Sequence, residues 1–318
     1  MTADDTDWTH YPALAASRAL SQRLLTGLRD DVERLGGPGA PLFVAAAGSL
    51  ARLEAHAASD CDLLLAADGG IAAAIRSHID GAIAAQGLRS PRAEGIYSGT
   101  LQRDVLLAAN RRGSLSEAPA DFGRRMALLL DAAPISNEPV FRRWQRDVLD
   151  WYTDAPDGAT WQLLVDDLGR YRHAYRSWQR FERQQPHWAL RQLKLQGSRA
   201  MGYAGLLLLI MQAAAHGDDG QRWLAGRLVR TPLERVLDAM ASVQVEPVVL
   251  LEAYESLHEM LCDPSARQRL CDDASAPAAQ ALLAEAHRHG GTVRRELLRV
   301  FDALAAATGS AVAGYALF

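Results

Sequence analysis

Short apolar runs and helical repeats alternate along the first part of the chain. Apolar residues recur at helical spacing from Ala13 to Leu35, which predicts an α-helix, and the glycine-rich segment 36–39 ends it. Two short apolar runs, Leu42 to Ala47 and Leu63 to Ala67, have the length of buried strands. Ile71 to Gln86 carries isoleucine at every fourth position and predicts a further helix. The order helix, strand, turn, strand, helix predicts a small core of mixed α and β structure.

From Val140 onward the pattern changes, because strand-like runs nearly disappear and helical repeats separated by short turns follow. The predicted helices include Tyr203 to Ala215, a helix starting at Thr231, Pro247 to Cys262, Ala276 to His289 and Thr292 to Ala307. We therefore predict an α+β fold. A small mixed-sheet domain occupies residues 1–145, and an all-helical domain occupies residues 146–318.

Composition supports two ordinary domains and narrows the classes of function. The chain has 318 residues, of which 49% are apolar and 7% aromatic, and its net charge is −4. A mildly acidic balance disfavours a surface for long nucleic acid. The cysteines, Cys61, Cys262 and Cys271, have neither metal-ligand nor redox spacing. No secretory signal opens the sequence, and the apolar run Ala204 to Ala215 is too short to cross a bilayer, so we expect a cytoplasmic protein without membrane contact.

Candidate chemistry lies between the two predicted strands. Strand alternation projects Asp60 and Asp62 to one side, with Cys61 on the opposite, buried side. Neighbouring carboxylates repel each other unless a cation lies between them, and Mg²⁺ favours carboxylates together with phosphate oxygens. The turn at Gly48 and Ser49 offers backbone N–H groups to a phosphate. The pattern predicts phosphoryl or nucleotidyl transfer; the alternative is a strand–turn–strand with a solvated acidic edge.

These residues form a longer motif with a recognisable spacing. The motif reads Gly48-Ser49-x-x-Arg52-x-Glu54, followed by Ser59-Asp60-x-Asp62. It resembles the nucleotidyltransferases of the DNA polymerase β superfamily, and within them the branch that contains the PII-protein uridylyltransferase. The resemblance implies that Asp60 and Asp62 bind two Mg²⁺ ions, and that Gly48, Ser49 and Arg52 contact a nucleoside triphosphate.

A third carboxylate on a later strand usually completes such a site. We expect the third strand within Arg92 to Tyr97, with Glu94 as the base for the attacking hydroxyl and Asp104 as the second candidate. Either residue can instead be a surface acid. Without a third carboxylate the protein would bind nucleotide with little or no catalysis.

The helix predicted over Phe122 to Ala132 begins with two basic residues. Arg124 and Arg125 either face a triphosphate or lie on a solvated helix face. The proline-containing turn that follows, residues 133–138, resembles a segment of the same branch, which gives Asp131 a structural role at that turn.

Two later segments resemble a helical substrate-binding domain found beside such catalytic domains. The first has Asp167 and Arg170 on one helix face, and it departs from the family's Asn-Asp pattern by having Asp166. The second contains Arg191, Lys194, Ser198 and Arg199, in a Trp-x-x-Arg-x-x-Lys-x-x-x-Ser-Arg pattern. The resemblance implies that Arg191, Lys194 and Arg199 bind a triphosphate. Because a triphosphate and departing pyrophosphate need more cations than the first domain supplies, we predict that these residues, with Asp167 and Arg170 on the preceding helix, face Asp60 and Asp62 across an interdomain groove. The alternative is a solvated basic face.

The expected function is Mg²⁺-dependent transfer of a nucleoside monophosphate from a nucleoside triphosphate to a hydroxyl of a protein or a small molecule. A tRNA end remains open as an acceptor. Two alternatives are an inactive nucleotide-binding regulator and a toxin or antitoxin of the same superfamily. The run His287 to Gly291 lacks a third ligand at suitable spacing, so we interpret it as a polar helix end rather than a metal site.

Overall fold

The fold is α+β, as predicted. A small four-stranded mixed sheet with helices forms the N-terminal part, and a largely helical region follows it. The computed structural model describes residues 2–33, 35, 40–90, 95–108, 114–154, 161–181, 185, 187–272, 276–309 and 312.

The described elements have the following bounds. The strands are β1 (Phe43–Ala46), β2 (Leu63–Ala66), β3 (Thr100–Leu101) and β4 (Ala133–Ser136). The helices are α1 (Pro12–Val32), α2 (Gly48–Ala51), α3 (Ala73–Ala85), α4 (Arg103–Leu106), α5 (Pro119–Leu130), α6 (Glu138–Thr153), α7 (Gln162–Phe181), α8 (Trp188–Gln196), α9 (Ser198–Ala215), α10 (Gly220–Arg227), α11 (Pro232–Ser242), α12 (Val248–Cys262), α13 (Pro264–Asp272) and α14 (Pro277–Thr308).

The chain divides into two compact units. The sheet unit comprises Ser17–Leu164 and Gln221–Thr231. The helical unit comprises Met1–Ala16, Val165–Gly220 and Pro232–Phe318. Residues 145 and 146 both lie in α6, and the domain boundary expected there remains a prediction.

The sheet has the strand order β3-β2-β1-β4. β1 pairs antiparallel with both β2 and β4, whereas β2 pairs parallel with β3. All residues of β1 and β2 are buried, which explains why both strands read as continuous apolar runs. On one face, residues of α1 and α3 such as Leu28 and Ile79 pack against Val44. On the other face, the ring of Phe43 meets Phe141 of α6 edge-on, with 5.4 Å between centroids.

Two edge strands differ from the sequence-based expectation. Residues 95–99 form turns and bends, so the strand predicted within Arg92 to Tyr97 is wrong for residues 95–97, and its part over residues 92–94 lies outside the described residues. Among the described residues, the strand that follows is Thr100–Leu101. The segment predicted as a proline turn contains β4 instead. Pro134 removes one backbone donor, and a strand at the edge of a sheet tolerates that loss. With two and four residues, respectively, the strands are too short for a clear periodic signal.

Arg124 and Arg125, in the middle of α5, are both buried, so the interpretation of a solvated helix face is wrong. Arg125 is fully buried and donates from Nη2 to Oε2 of Glu117 at 3.0 Å and from Nε to the hydroxyl of Tyr152 at 3.0 Å. Burial alone would lower the pKa of Arg125, but the hydrogen bonds that it donates to Glu117 and Tyr152, together with the charges of these two residues, hold its pKa above the ordinary value. Arg124 donates to the carbonyl of Ile96 at 2.7 Å. These contacts attach α5 to its neighbours.

In the helical unit, α14 is one continuous helix rather than the two predicted helices. Gly290 does not end a helix. A side chain there would collide with the amide of Gln196 on α8, so the glycine permits close helix packing. The interpretation of residues 287–291 as a helix end is therefore wrong. The helix predicted over Tyr203 to Ala215 is confirmed, because these residues lie in α9.

One helical stretch of the described chain, Trp188–Ala215, is long and apolar enough to cross a membrane by length and composition. Within its most apolar window, 61% is buried inside the protein, and buried core helices pass the same test.

Candidate functional site

The turn after β1 is fixed to the start of β2. Ala47 donates its N–H to the carbonyl of Asp62 at 2.8 Å. Gly48 follows with φ of +64°, a conformation that side-chain-bearing residues adopt at a cost, and begins the short helix α2. The residue before this helix, Ala47, provides no side-chain cap. The N–H groups of the first turn have no acceptor within the helix itself.

The carboxylate of Asp62 lies against this turn. A Cβ atom placed on Gly48 would be 2.7 Å from Oδ2 of Asp62. Glycine at this position therefore lets a carboxylate approach the start of α2. The positive end of a helix dipole favours negative charge at this place.

Asp60 and Asp62 flank Cys61 immediately before β2, rather than lying within that strand. Both aspartates are partly exposed, whereas Cys61 is fully buried. Burial, with smaller contributions from the charges of Asp62 and Asp60, raises the pKa of the Cys61 thiol to about 12. The expected alternation of exposed and buried side chains over residues 60–62 is thus confirmed. Cys61 is a neutral core residue between the two carboxylates in the sequence.

A hydroxyl pair connects the glycine–serine turn to the segment before Asp60. Ser49 Oγ donates to Ser59 Oγ at 3.2 Å, and Ser59 Oγ accepts the backbone N–H of His56 at 3.0 Å. Ser59 is 5% exposed. The side chain of Ser49 is therefore positioned beside the loop that carries the aspartates.

Arg52 lies between two carboxylates. Its Nε donates to Oε2 of Glu54 at 2.8 Å, and its Nη1 donates to Oδ2 of Asp131 at 2.5 Å. Between Arg52 and Glu54, Leu53 has φ of +60°, a left-handed conformation that is unusual for leucine. The structural role expected for Asp131 has a physical basis here, because it joins α5 to the turn after β1. The expected contact of Arg52 with nucleotide remains a prediction.

Arg89 contributes to the site, although the motif does not include it. Its backbone forms an isolated parallel bridge with Asp60, and its carbonyl accepts the N–H of Cys61 at 2.8 Å. Its guanidinium donates to the carbonyl of Ala58. Arg89 thus holds the segment before Asp60 from two directions. In the sequence, Arg89 only follows the helix predicted over Ile71 to Gln86, and no local pattern distinguishes a residue that acts through a backbone bridge.

The third carboxylate is not located. Glu94 lies outside the described residues. Asp104 is exposed in α4, after β3, and residues 95–101 contain no acid. In the part of the chain that the structure describes, no group of three or more His, Cys, Asp or Glu residues is placed to hold a metal ion.

The second predicted group of residues belongs to the helical unit. Asp167 is buried, with Oδ1 lying 3.6 Å from Nη1 of Arg170. Burial, and then the charge of Asp167, raise the pKa of Asp166. Arg191 and Lys194 are partly exposed on α8. The interdomain arrangement expected for these cations stays a prediction.

Arg199 stands out within this group. Its Cζ lies 4.2 Å from the ring centroid of Tyr175, which is the range of a cation–π interaction. Its Nη1 is buried and has no hydrogen-bond partner among the described residues. A buried guanidinium N–H without an acceptor is costly, and an anionic ligand would satisfy it.

The donor set of the sheet unit suits Mg²⁺. Asp60 and Asp62 offer partly exposed carboxylate oxygens, Ser49 lies nearby, and the absence of a side chain at Gly48 lets the Asp62 carboxylate approach the turn. No family model, no curated protein sequence and no solved structure matches this chain.

Proposed function

We propose that the protein is a Mg²⁺-dependent nucleotidyltransferase. It would transfer a nucleoside monophosphate from a nucleoside triphosphate to a hydroxyl group of an acceptor. The observation that carries this proposal is the position of the Asp62 carboxylate against the Gly48 start of α2. In the proposed reaction, this arrangement would put a metal ligand beside backbone N–H groups that would bind phosphate oxygens.

Each residue of the sheet-unit site has a role in this proposal. Asp60 and Asp62 would hold Mg²⁺, which would supply positive charge to neutralise the triphosphate. The backbone N–H groups at Gly48 and the hydroxyl of Ser49 would bind the terminal phosphates. Arg52, held by Glu54 and Asp131, would stabilise the turn that presents them and would add positive charge near the nucleotide.

The reaction is an in-line displacement at phosphorus. The oxygen of the acceptor hydroxyl forms a bond to the α-phosphorus, while the bond from that phosphorus to the bridging oxygen of pyrophosphate breaks. The electron pair of the broken bond leaves with pyrophosphate, and the hydroxyl proton passes to a base, for which Glu94 is our candidate. Catalysis of this type depends mainly on positioning and on charge stabilisation.

The helical unit would supply further cations. Arg191, Lys194 and Arg199 are the candidates for phosphate contacts, and the buried Nη1 of Arg199 is the specific observation in favour. Guanidinium and ammonium groups bind phosphate through charge-assisted hydrogen bonds. We propose a protein or a small molecule as the acceptor and a cytoplasmic location.

A second candidate function is nucleotide binding with little catalysis. Residues 95–101, which lead into and form β3, contain no carboxylate, and this observation favours a regulatory nucleotide-binding protein. Both candidate functions require Asp62 for binding of the metal–nucleotide complex. They therefore differ only in whether the bound nucleotide is turned over.

One experiment separates them. The full chain is incubated with Mg²⁺, host lysate and each nucleoside triphosphate carrying a label on the α-phosphate, beside an Asp62→Asn variant. Transfer of label to a macromolecule or metabolite by the wild type alone would support the enzyme. Binding of a triphosphate without transfer supports the regulator, and absence of both refutes the proposed site.

A further inference from the structure

The exposed side of α7 carries a line of arginines. Arg172, Arg176 and Arg180 are exposed and follow one another at intervals of four residues, which corresponds to about 6 Å along a helix. Arg294 on α14 is exposed as well, and its charge acts on Arg176. These four residues form the arginine cluster of the helical unit.

In the part of the chain that the structure describes, no acidic side chain pairs with the arginine cluster. Among the described residues, no carboxylate forms an ion pair with Arg172, Arg176, Arg180 or Arg294. Burial lowers the pKa of Arg176, and the charges of Arg172, Arg180 and Arg294 lower it further. An anion from outside this group would neutralise them.

The positive charge is local. Residues 161–200 contain eight Lys or Arg and three Asp or Glu, in a chain whose net charge is −4. The protein therefore has a basic surface of limited length on a mildly acidic molecule. Such a surface suits a short anionic ligand rather than a long duplex, which needs an extended basic face.

Aromatic and planar groups accompany the arginines. Cζ of Arg172 lies 4.7 Å from the ring centroid of Tyr203, within the range of a cation–π interaction, and Arg172 is exposed. Phe181, next to Arg180 at the end of α7, is 86% exposed. Exposed aromatic rings and stacked guanidinium planes are the surfaces on which unpaired bases stack.

We propose that the arginine cluster binds single-stranded nucleic acid. The arginines contact successive backbone phosphates, while Phe181 and the guanidinium of Arg172 stack against bases. A single-stranded nucleic acid has evenly spaced phosphate charges and planar bases. The arginines match the phosphates, and Phe181 with the guanidinium of Arg172 matches the bases. An acidic protein surface would match only the arginines. This binding is independent of the proposed nucleotidyl transfer, because it involves none of the residues assigned to that reaction.

The test is the binding of a short, fluorescently labelled single-stranded oligonucleotide to the full chain, measured by anisotropy over a range of salt concentrations without nucleotide or Mg²⁺. Four phosphate contacts predict a slope of log affinity against log salt of about −3. Arg176→Gln should weaken binding roughly threefold to tenfold and reduce that slope by about 0.7. Phe181→Ala should weaken binding with little change in slope, since stacking releases no counterions.

Controls make the outcome decisive. Arg269→Gln removes an exposed arginine of α13 outside the cluster and should leave affinity within about twofold, apart from a small general charge effect. Thermal melts should show all variants folded, because these side chains are exposed. The proposal is overturned if the oligonucleotide does not bind at low salt, or if Arg176→Gln and Arg269→Gln behave alike. Tighter binding of an acidic peptide or a duplex would also overturn it, and would assign the surface to that partner.

Discussion

The side chain of Asp62 occupies the space that a side chain on Gly48 would need. A Cβ atom on Gly48 would lie 2.7 Å from Oδ2 of Asp62, closer than real Cβ contacts allow. The same two segments are joined by the hydrogen bond from Ala47 to the carbonyl of Asp62. The turn that would bind phosphate and the carboxylate that would bind metal thus cannot be altered independently.

Gly48→Ala should therefore impair both the fold and the site. The left-handed conformation and the contact with Asp62 together predict a loss of about 1–3 kcal/mol in the free energy of unfolding. Chemical denaturation measures this loss. Binding of Mg²⁺ and nucleoside triphosphate should fall as well, because Asp62 must move.

Gly70→Ala is the matched control. No atom lies within 4 Å of a Cβ at Gly70, and its φ is not in the left-handed range. This variant should unfold at nearly the wild-type denaturant concentration. Equal stability of the Gly48 and Gly70 variants would contradict the close approach described above.

Asp62→Asn should remove stabilisation by Mg²⁺ and nucleoside triphosphate while leaving the apo protein folded. A ligand present at a hundred times its dissociation constant stabilises a protein by about 2.7 kcal/mol, which a thermal melt detects as a higher midpoint. The substitution keeps the shape of the side chain but removes the charge that the metal requires. Relief of repulsion from Asp60 can also raise the stability of the apo protein slightly.

Asp68→Asn provides the comparison, since Asp68 follows β2 but is exposed. It should retain the full shift with metal and nucleotide. If the Asp62 variant retained the same shift as this control, Asp62 would not be a metal ligand.

Much of the fold could be read from the sequence where a pattern was long. The helix predicted over residues 13–35 is α1, and the run predicted over 42–47 contains β1. The prediction failed where tertiary contacts override local signals. In the sequence Gly290 indicates the end of a helix, but it lies inside α14. Glycine is needed there because Gln196 of α8 approaches closely. Pro134 resembles a turn, but the edge of a sheet accommodates it.

The candidate site was predictable to a similar extent. Alternation correctly placed Cys61 in the core and the two aspartates away from it. The ion pair of Arg52 with Asp131 joins residues far apart in sequence, and no local pattern reveals such a contact. Arg89 was missed for the same reason, because its link to Asp60 is a backbone bridge between separate segments.

The buried carboxyl of Glu255 should make the stability of the protein depend on pH. Its carboxylate accepts backbone N–H bonds from Ala13 at 2.6 Å and Leu14 at 3.0 Å, at the start of α1. Burial raises the pKa of Glu255 above 4.5, against the opposing effect of these hydrogen bonds. The folded state therefore holds the proton more tightly than the unfolded state does. The stability that this group contributes is present below pH 4.5 and is lost as pH rises through the folded pKa.

Chemical denaturation of the wild type and of Glu255→Gln at several pH values measures this contribution. The stability of the wild type relative to the variant should decrease as pH rises above about 4.5, because glutamine cannot ionise. Glu252→Gln, an exposed neighbour on α12, should show a smaller change over the same range. A difference that grows with pH would reverse the inferred direction of the pKa shift.

The cations of α8 and α9 yield the last prediction, which concerns phosphate recognition. Lys194→Ala and Arg199→Ala should each weaken binding of a nucleoside triphosphate by about 1.5–3 kcal/mol, the value of a charge-assisted hydrogen bond. Both helices should remain folded, since alanine is the strongest helix former. The measurement is calorimetric titration with the triphosphate and, separately, with the corresponding nucleoside. Because the nucleoside has no phosphate, its affinity should not change in either variant.

Arg288→Ala changes an exposed residue of α14 and is the control; this variant should bind both ligands like the wild type. An equal loss of affinity for nucleoside and triphosphate would indicate a damaged helical unit rather than lost phosphate contacts, and unchanged triphosphate affinity would remove Lys194 and Arg199 from the site.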